Sequence, residues 1–201
     1  MRIILASTSP SRLSILRSAG VEPLVMGSEV DERGAVAALE NPTPSEVVAH
    51  LAVAKARSVA GKAAGEGAVV IGGDSMLLID GELQGKPHTE EATVQRWRQQ
   101  RGKVAELLTG HALIDLPTGR EYVEVSTTTV HFAHASDEDI AAYAATGEPF
   151  GCAGAFTLEA LGGWFIDRIE GDPSSVIGLS LPVVRRGVEH FGYRASQFWN
   201  R

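Results

Sequence analysis

Residues Arg2–Leu16, RIILASTSPSRLSIL, decide how the rest of the chain is read. The apolar run RIILA, residues 2–6, has the length and composition of a short buried strand. It stops at a cluster of hydroxyls. Ser9 followed by Pro10 is a helix start, with the serine as N-cap and the proline in the first helical position. Leu13, Leu16 and Ala19 then recur at helical spacing, and Gly20 supplies a stop. A strand that feeds straight into a helix announces an α/β protein, and it places Ser7, Thr8, Ser9, Ser11 and Arg12 at the junction. Backbone N–H groups there point outward and the helix dipole favours negative charge, so the junction suits phosphate. Arg12 in the first turn opposes that dipole unless a bound anion offsets it; an ordinary Ser-Pro cap beside a solvated arginine is the simpler alternative.

Beyond this start, residues 23–26 form a candidate second strand, and Ser45 with Glu46 opens a long helical pattern. That helix turns Val48, Leu51 and Ala52 toward a core, with Lys55 further along. AVVIGGD, residues 68–74, is a second buried strand that ends in glycines and a carboxylate. Residues 76–87 suggest a hairpin turning at Asp80-Gly81, where both residue types tolerate positive φ. Thr89 caps a helix over 90–101, anchored by Trp97. Two longer strands, 103–114 and 121–132, meet at the turn 117–119. The second alternates Val123, Val125, Thr127 and Thr129 against Tyr122, Glu124, Ser126 and Thr128. A helix runs from Ser136 and Asp139 to Ala145, ended by Gly147. A glycine-rich stretch over 150–180 holds the strand WFIDRI, and a last helix spans Pro182 to His190. This order predicts a mixed α/β sheet with helices on its faces.

Composition narrows the classes. The 201 residues, 44% hydrophobic and 21% charged, suit one globular domain or at most two tightly joined lobes. No run approaches the ~18–20 apolar residues that span a bilayer, and no basic region with an apolar stretch and cleavage site begins the chain. The expectation is a cytoplasmic protein with no membrane partner. A single cysteine, Cys152, excludes an internal disulfide framework. The net charge of −7, with 18 scattered basic residues, argues against a nucleic-acid partner but leaves a small anionic ligand open.

The candidate chemistry lies at element ends. Asp74 stands just past a buried strand, where open α/β sheets collect ligands; it suits a metal ligand or general base, or caps its own turn. Glu32, in VDER, is a second carboxylate at a strand-to-loop junction, or a plain surface residue. Lys55 and Lys86 are either solvated or phosphate-binding. The GKP at 85–87 follows a hairpin and is no Walker loop, and HFAH at 131–134 has no zinc-ligand spacing around it. Cys152 has no base beside it in sequence and is expected to pack, as are Trp97, Trp164 and Phe156, unless a residue around 156–164 borders a base pocket.

Together LASTSPSR, VDE, LAVAKA, IGGDS, GKP, LTG, CAGAFTLEALGGWF and IEGDPSSVIGLSLP stand in an order and spacing that resembles the Maf-like nucleoside triphosphate pyrophosphatases. The resemblance covers nearly the whole chain. It implies one domain over 1–201 with a mixed twisted sheet similar to inosine triphosphatases, and a nucleotide cleft between two lobes. It implies cleavage of a nucleoside triphosphate, a modified one included, to monophosphate and pyrophosphate, Mg²⁺ or Mn²⁺ as cofactor, and a homodimer. Carried over residue by residue, it makes Asp74 the general base near the metal and Glu32 a metal-linked carboxylate. Ser7, Ser9, Arg12, Lys55 and Lys86 become the triphosphate cradle, the two lysines counting with Asp74 as catalytic.

The chain also departs from the family. Many members carry two arginines where Ser11 and Arg12 stand. Many thymidine- or uridine-preferring members have threonine and glutamine where Ser75 and Glu159 stand. A late-loop glutamate after CAG is similar to the subfamily acting on 7-methyl-GTP, although the first loop lacks that subfamily's tryptophan. Ser11, Ser75 and Glu159 are therefore expected on the substrate-binding side, with the base left open. The alternative is a non-catalytic nucleotide-binding regulator of cell division, which would keep the cradle and dispense with the carboxylates.

Overall fold

The computed structural model describes residues 1–63 and 67–201. Its sheet has seven strands: β1 (Arg2–Leu5), β2 (Leu24–Val25), β3 (Ala68–Ile79), β4 (Glu82–Gln84), β5 (Val104–Asp115), β6 (Glu121–Phe132) and β7 (Ile166–Glu170). The order is β2-β1-β3-β5-β6-β7, with β4 paired on β3. The helices are α1 (Pro10–Ser18), α2 (Glu32–Ala37), α3 (Pro44–Ala60), α4 (Glu90–Gln100), α5 (Asp137–Ala145), α6 (Pro173–Ile177) and α7 (Leu181–His190). The chain divides into two compact units. The first holds Met1–Asp74, Thr109–Ser126 and Gly178–Arg201, and the second Ser75–Leu108 and Thr127–Ile177.

In the first unit β1 is parallel to both β2 and β3, with Leu5 opposite Ile71. Helix α3 presents Val48, Leu51, Ala52, Ala56 and Val59 as a buried stripe, with Lys55 inside it. The stripe packs on β3 and β5 almost backbone to backbone. A Cβ at Gly72 would stand 2.4 Å from the Ala52 carbonyl oxygen, and one at Gly110 2.3 Å from that of Val48. Only glycine permits this approach. The helix starts at Thr43, whose hydroxyl accepts from Glu46 N while the Glu46 carboxylate accepts from Thr43 N, a capping box one turn ahead of the apolar stripe.

The second unit has its own core of Leu77, Trp97, Leu107, Phe132, Ile140, Tyr143 and Phe156. Trp97 is fully buried on α4 and meets Phe132, Tyr143 and Phe165 edge to face at ring-centroid distances of 5.6, 5.7 and 5.6 Å. Its indole N–H donates to the Ala155 carbonyl at 2.7 Å, so the buried polar edge is satisfied. The hairpin turns where expected, with Asp80 at φ 50° and Gly81 at φ 83°.

Several expectations are corrected. The strand opening at residue 68 does not stop at its glycines: β3 runs on to Ile79, and Asp74 lies within it. The glycines there mark close helix packing, which in sequence is indistinguishable from a strand end. Glu32 lies in the first turn of α2, capped by Asp31, and not at a strand-to-loop junction. On α1 the buried pair is Ile15 and Leu16, and Leu13 is only half-buried. The alternation expected on β6 stands, with Thr128, Val130 and Phe132 buried and Val123 44% exposed. Trp164 does not pack; it is 83% exposed in a 3-10 turn ahead of β7.

Candidate active site

The first unit brings together side chains from four separate segments. Lys55 lies in the apolar stripe of α3, so the ammonium must find anions to remain charged. It finds two. Its Nζ stands 2.6 Å from Asp74 Oδ1 and 2.8 Å from Glu32 Oε1. Lys55 and Asp74 are 8% and 6% exposed, which overturns both the solvated lysine and the turn-capping aspartate. Glu32 keeps half of its side chain in solvent, at 53%. Asp74 Oδ2 is buried with no hydrogen-bond partner. Burial pushes the Asp74 carboxyl up from its ordinary value, against Lys55 and Arg12, with Glu32 adding to the rise.

Arg12 is the second cation. Its Nε donates to the Gly178 carbonyl at 2.8 Å, and Nη1 donates to Ser7 Oγ at 3.2 Å. Burial lowers its pKa, while the charges of Asp74 and Glu32 oppose that drop, so the guanidinium shares the neighbourhood of both carboxylates. It is not a solvated arginine. Ser7 is buried, and its hydroxyl also accepts from Ser9 N at 3.2 Å. Ser9 is the N-cap of α1, its Oγ accepting from Arg12 N at 3.5 Å, and Ser11 lies half-buried in the first turn.

Ser75, Lys86 and Glu159 belong to the second unit. Lys86 is exposed in the loop 85–88, which is tied to the loop 150–154 by His88 N donating to Phe150 O at 3.2 Å and Gly154 N to Gly85 O at 3.3 Å. Both Lys86 and Glu159 act on Cys152. Burial, then Glu159 and Glu148, push its thiol up to about 11 while Lys86 opposes them. A thiol so disfavoured as thiolate is no nucleophile. Glu159 is exposed, its carboxylate accepting from Leu158 N at 3.1 Å.

The described residues contain no group of three or more His, Cys, Asp and Glu side chains placed to hold a metal ion. That is compatible with Mg²⁺, which is commonly held by one or two carboxylates together with substrate phosphates. The donors here fit such an ion: two carboxylates drawn to one ammonium, and on Asp74 a buried oxygen with nothing bound to it.

The family model described as "Maf-like protein" matches residues 2–191 of the sequence. This chain belongs to the Maf-like family. Among its relatives, the nucleoside triphosphate pyrophosphatase of Corynebacterium diphtheriae is 66% identical over 200 residues, covering 100% of this chain and 99% of its own length. That of Corynebacterium efficiens is 64% identical over 201 residues, covering 100% of both chains. The nucleoside triphosphate pyrophosphatase of Nocardia farcinica is 53% identical over 203 residues, covering 98% of this chain and 96% of its own length.

In this Maf-like chain one organising residue escaped the sequence reading. Glu148 accepts from Thr157 Oγ1 at 2.5 Å, from Tyr143 OH and Gly162 N at 3.2 Å, and from Leu161 N at 3.3 Å. It thereby closes the loop that carries Glu159. Its position after Gly147 reads as a helix-stop neighbour, and only the fold shows the carboxylate turned onto a loop nine to fourteen residues ahead.

Among the described residues no helix is long and apolar enough to cross a membrane.

Proposed function

We propose that this protein hydrolyses a nucleoside triphosphate between the α and β phosphates, releasing monophosphate and pyrophosphate. The observation that carries the reading is the buried Lys55–Asp74 pair, at 2.6 Å, with the second Asp74 oxygen unpartnered. The names of relatives at 63–66% identity support the same reaction.

In this mechanism Arg12 and Lys55 bind phosphate oxygens, and Ser7 and Ser9 orient the first loop around them. Lys86 adds a third cation against a triphosphate carrying about four negative charges. Asp74 accepts the proton of a water attacking the α-phosphorus, and the pyrophosphate oxygen departs as the new P–O bond forms. A divalent ion, Mg²⁺ or Mn²⁺, held by Asp74 and Glu32, supplies charge neutralisation to the phosphates when bound. Glu159, as an acceptor, favours bases that present N–H groups to it, and Ser11 and Ser75 complete the substrate contacts. The reading includes a cytoplasmic homodimer, whose mass light scattering reports.

A pyrophosphate-release assay across ordinary and modified triphosphates, with Mg²⁺, tests the reaction. Asp74→Asn is expected to lower turnover by about 10²–10⁴-fold. Orthophosphate in place of pyrophosphate, or full activity in that variant, overturns the assignment. Tight nucleotide binding without turnover under any divalent ion would instead favour the non-catalytic regulator.

A further inference from the structure

His111 lies on β5 with no exposed surface, and the mechanism above gives it no task. Its Nε2 accepts a hydrogen bond from the backbone N–H of Ser180 at 2.8 Å. A ring nitrogen that accepts a backbone N–H carries no proton, so the imidazole is neutral with its proton on Nδ1. Two residues before Ser180, the Gly178 carbonyl takes the Arg12 Nε–H at 2.8 Å. Arg12 Nη1 in turn reaches Ser7 Oγ at 3.2 Å. The guanidinium also lies against β3, where a Cβ on Gly73 would stand 3.3 Å from Arg12 Nε, one residue before Asp74. These groups all belong to the first unit.

We infer that His111 is a positioning residue for the reaction: by accepting from Ser180 it fixes the segment whose Gly178 carbonyl aims Arg12 at the Asp74 site. The segment is held at its other end by α7, where Ser180 Oγ accepts from Val183 N at 3.2 Å. That cap fixes the helix start, and His111 fixes the backbone upstream of it. Arg12 is not aimed by its own helix alone, because its Nε–H donates to the Gly178 carbonyl, far along the chain. The neutral state that the geometry requires is also the favoured one. Burial first, and then the Arg12 charge, hold the imidazole down to about 4, outweighing the backbone of Glu124 and Thr109 and the Glu124 carboxylate. A protonated ring would lose its acceptor and set a second cation against Arg12.

The inference rests on the pyrophosphatase reading, and a double-mutant cycle separates the two. The measurement is kcat/KM for pyrophosphate release, on whichever of ATP, GTP, CTP, UTP and dTTP the wild type turns over fastest. His111→Phe keeps a ring and removes the acceptor, and it is expected to lower kcat/KM about tenfold or more. His111→Gln, whose amide oxygen can accept from Ser180 N, is expected to recover most of that loss. In an Arg12→Ala background His111→Phe is expected to cost nothing further, whereas a merely structural role gives additive losses. Full activity of His111→Phe, or additivity with Arg12→Ala, overturns the inference. A wild type that releases no pyrophosphate overturns the functional reading instead, and the same cycle run on the Kd for GTP then decides the role of His111. If His111→Phe does not fold, nitrogen-15 NMR of the wild type decides. A neutral Nδ1–H ring, unchanged down to about pH 5, is expected, and a proton on Nε2 overturns the proposal.

Discussion

In the first unit a lysine, an arginine and two carboxylates are gathered from four segments, while in the second one carboxylate gathers the N–H and O–H groups of one following loop and the hydroxyl of Tyr143. Lys55 reaches Asp74 and Glu32 from α3, which lies almost backbone to backbone on the glycines of β3 and β5. Glu148 needs no such packing, since its partners Thr157, Leu161 and Gly162 follow it closely in sequence. The two carboxylates also differ in what they leave unmade. Both oxygens of Glu148 accept hydrogen bonds, whereas Asp74 keeps Oδ2 buried and unpartnered. An unpaired buried oxygen is costly, and a fold keeps it where a ligand or a proton will meet it. Glu148 spends both oxygens on holding a loop, and Asp74 keeps one in reserve.

The contrast breaks most visibly at Lys55. Lys55→Met strands a buried carboxylate and is expected to cost about 3–5 kcal/mol in urea unfolding. Adding Asp74→Asn to it should restore part of that loss, because the stranded charge is gone. An additive double variant would show that the pair is not coupled.

A smaller effect is expected at the packing beneath the pair. Gly72→Ala puts a methyl group against the Ala52 carbonyl and the Ala56 amide, at 2.4 and 2.7 Å, so α3 must move. The expected loss is about 1–3 kcal/mol. Because Lys55 rides on that helix, pyrophosphate release should fall with it; unchanged activity and stability would dissociate α3 packing from the site.

Glu148→Gln probes the other side of the comparison, with an expected cost of about 1–2 kcal/mol. Burial pushes the Glu148 carboxyl up, but Thr157, Gly162, Leu161 and Tyr143 together hold it below its ordinary value. A carboxyl depressed in the folded state contributes fully above its unfolded pKa, and that contribution fades as pH falls through the folded value. Wild-type stability should therefore decline below about pH 4.5, with a shallower slope in Glu148→Gln. Equal slopes would remove Glu148 as the source. The smallest stability change is expected at exposed Glu159, where Glu159→Gln should stay within about 0.5 kcal/mol. It should nonetheless alter the ratio of guanine to thymine triphosphate turnover, and an unaltered ratio would clear Glu159 of base selection.

Local signals served well wherever the physics was local. Ser9-Pro10, Thr89 and Ser136 each cap the helix expected of them, and Asp80-Gly81 turns the hairpin, because caps and turns are settled within a few residues. Alternation on β6 gave two faces without saying which one is covered; Thr128, Val130 and Phe132 took the inside. Lys55 was visible as a lysine in an apolar stripe, yet nothing in the stripe names a partner 19 residues away. Glu148 and His111 carried no local signal, because a carboxylate after a helix stop and a histidine within a strand are ordinary in sequence.

The sequence by itself determined the α/β class, the starts of α1, α4 and α5, the tight turn and membership of the Maf-like family, all of which follow from short-range patterns and their order. Tertiary structure alone decided that Asp74 lies inside a strand, that one ammonium holds two carboxylates, and that one Asp74 oxygen stays unpaired. Those outcomes depend on how closely a helix approaches a sheet. That distance is set by the joint packing of many side chains, which no single stretch of sequence encodes.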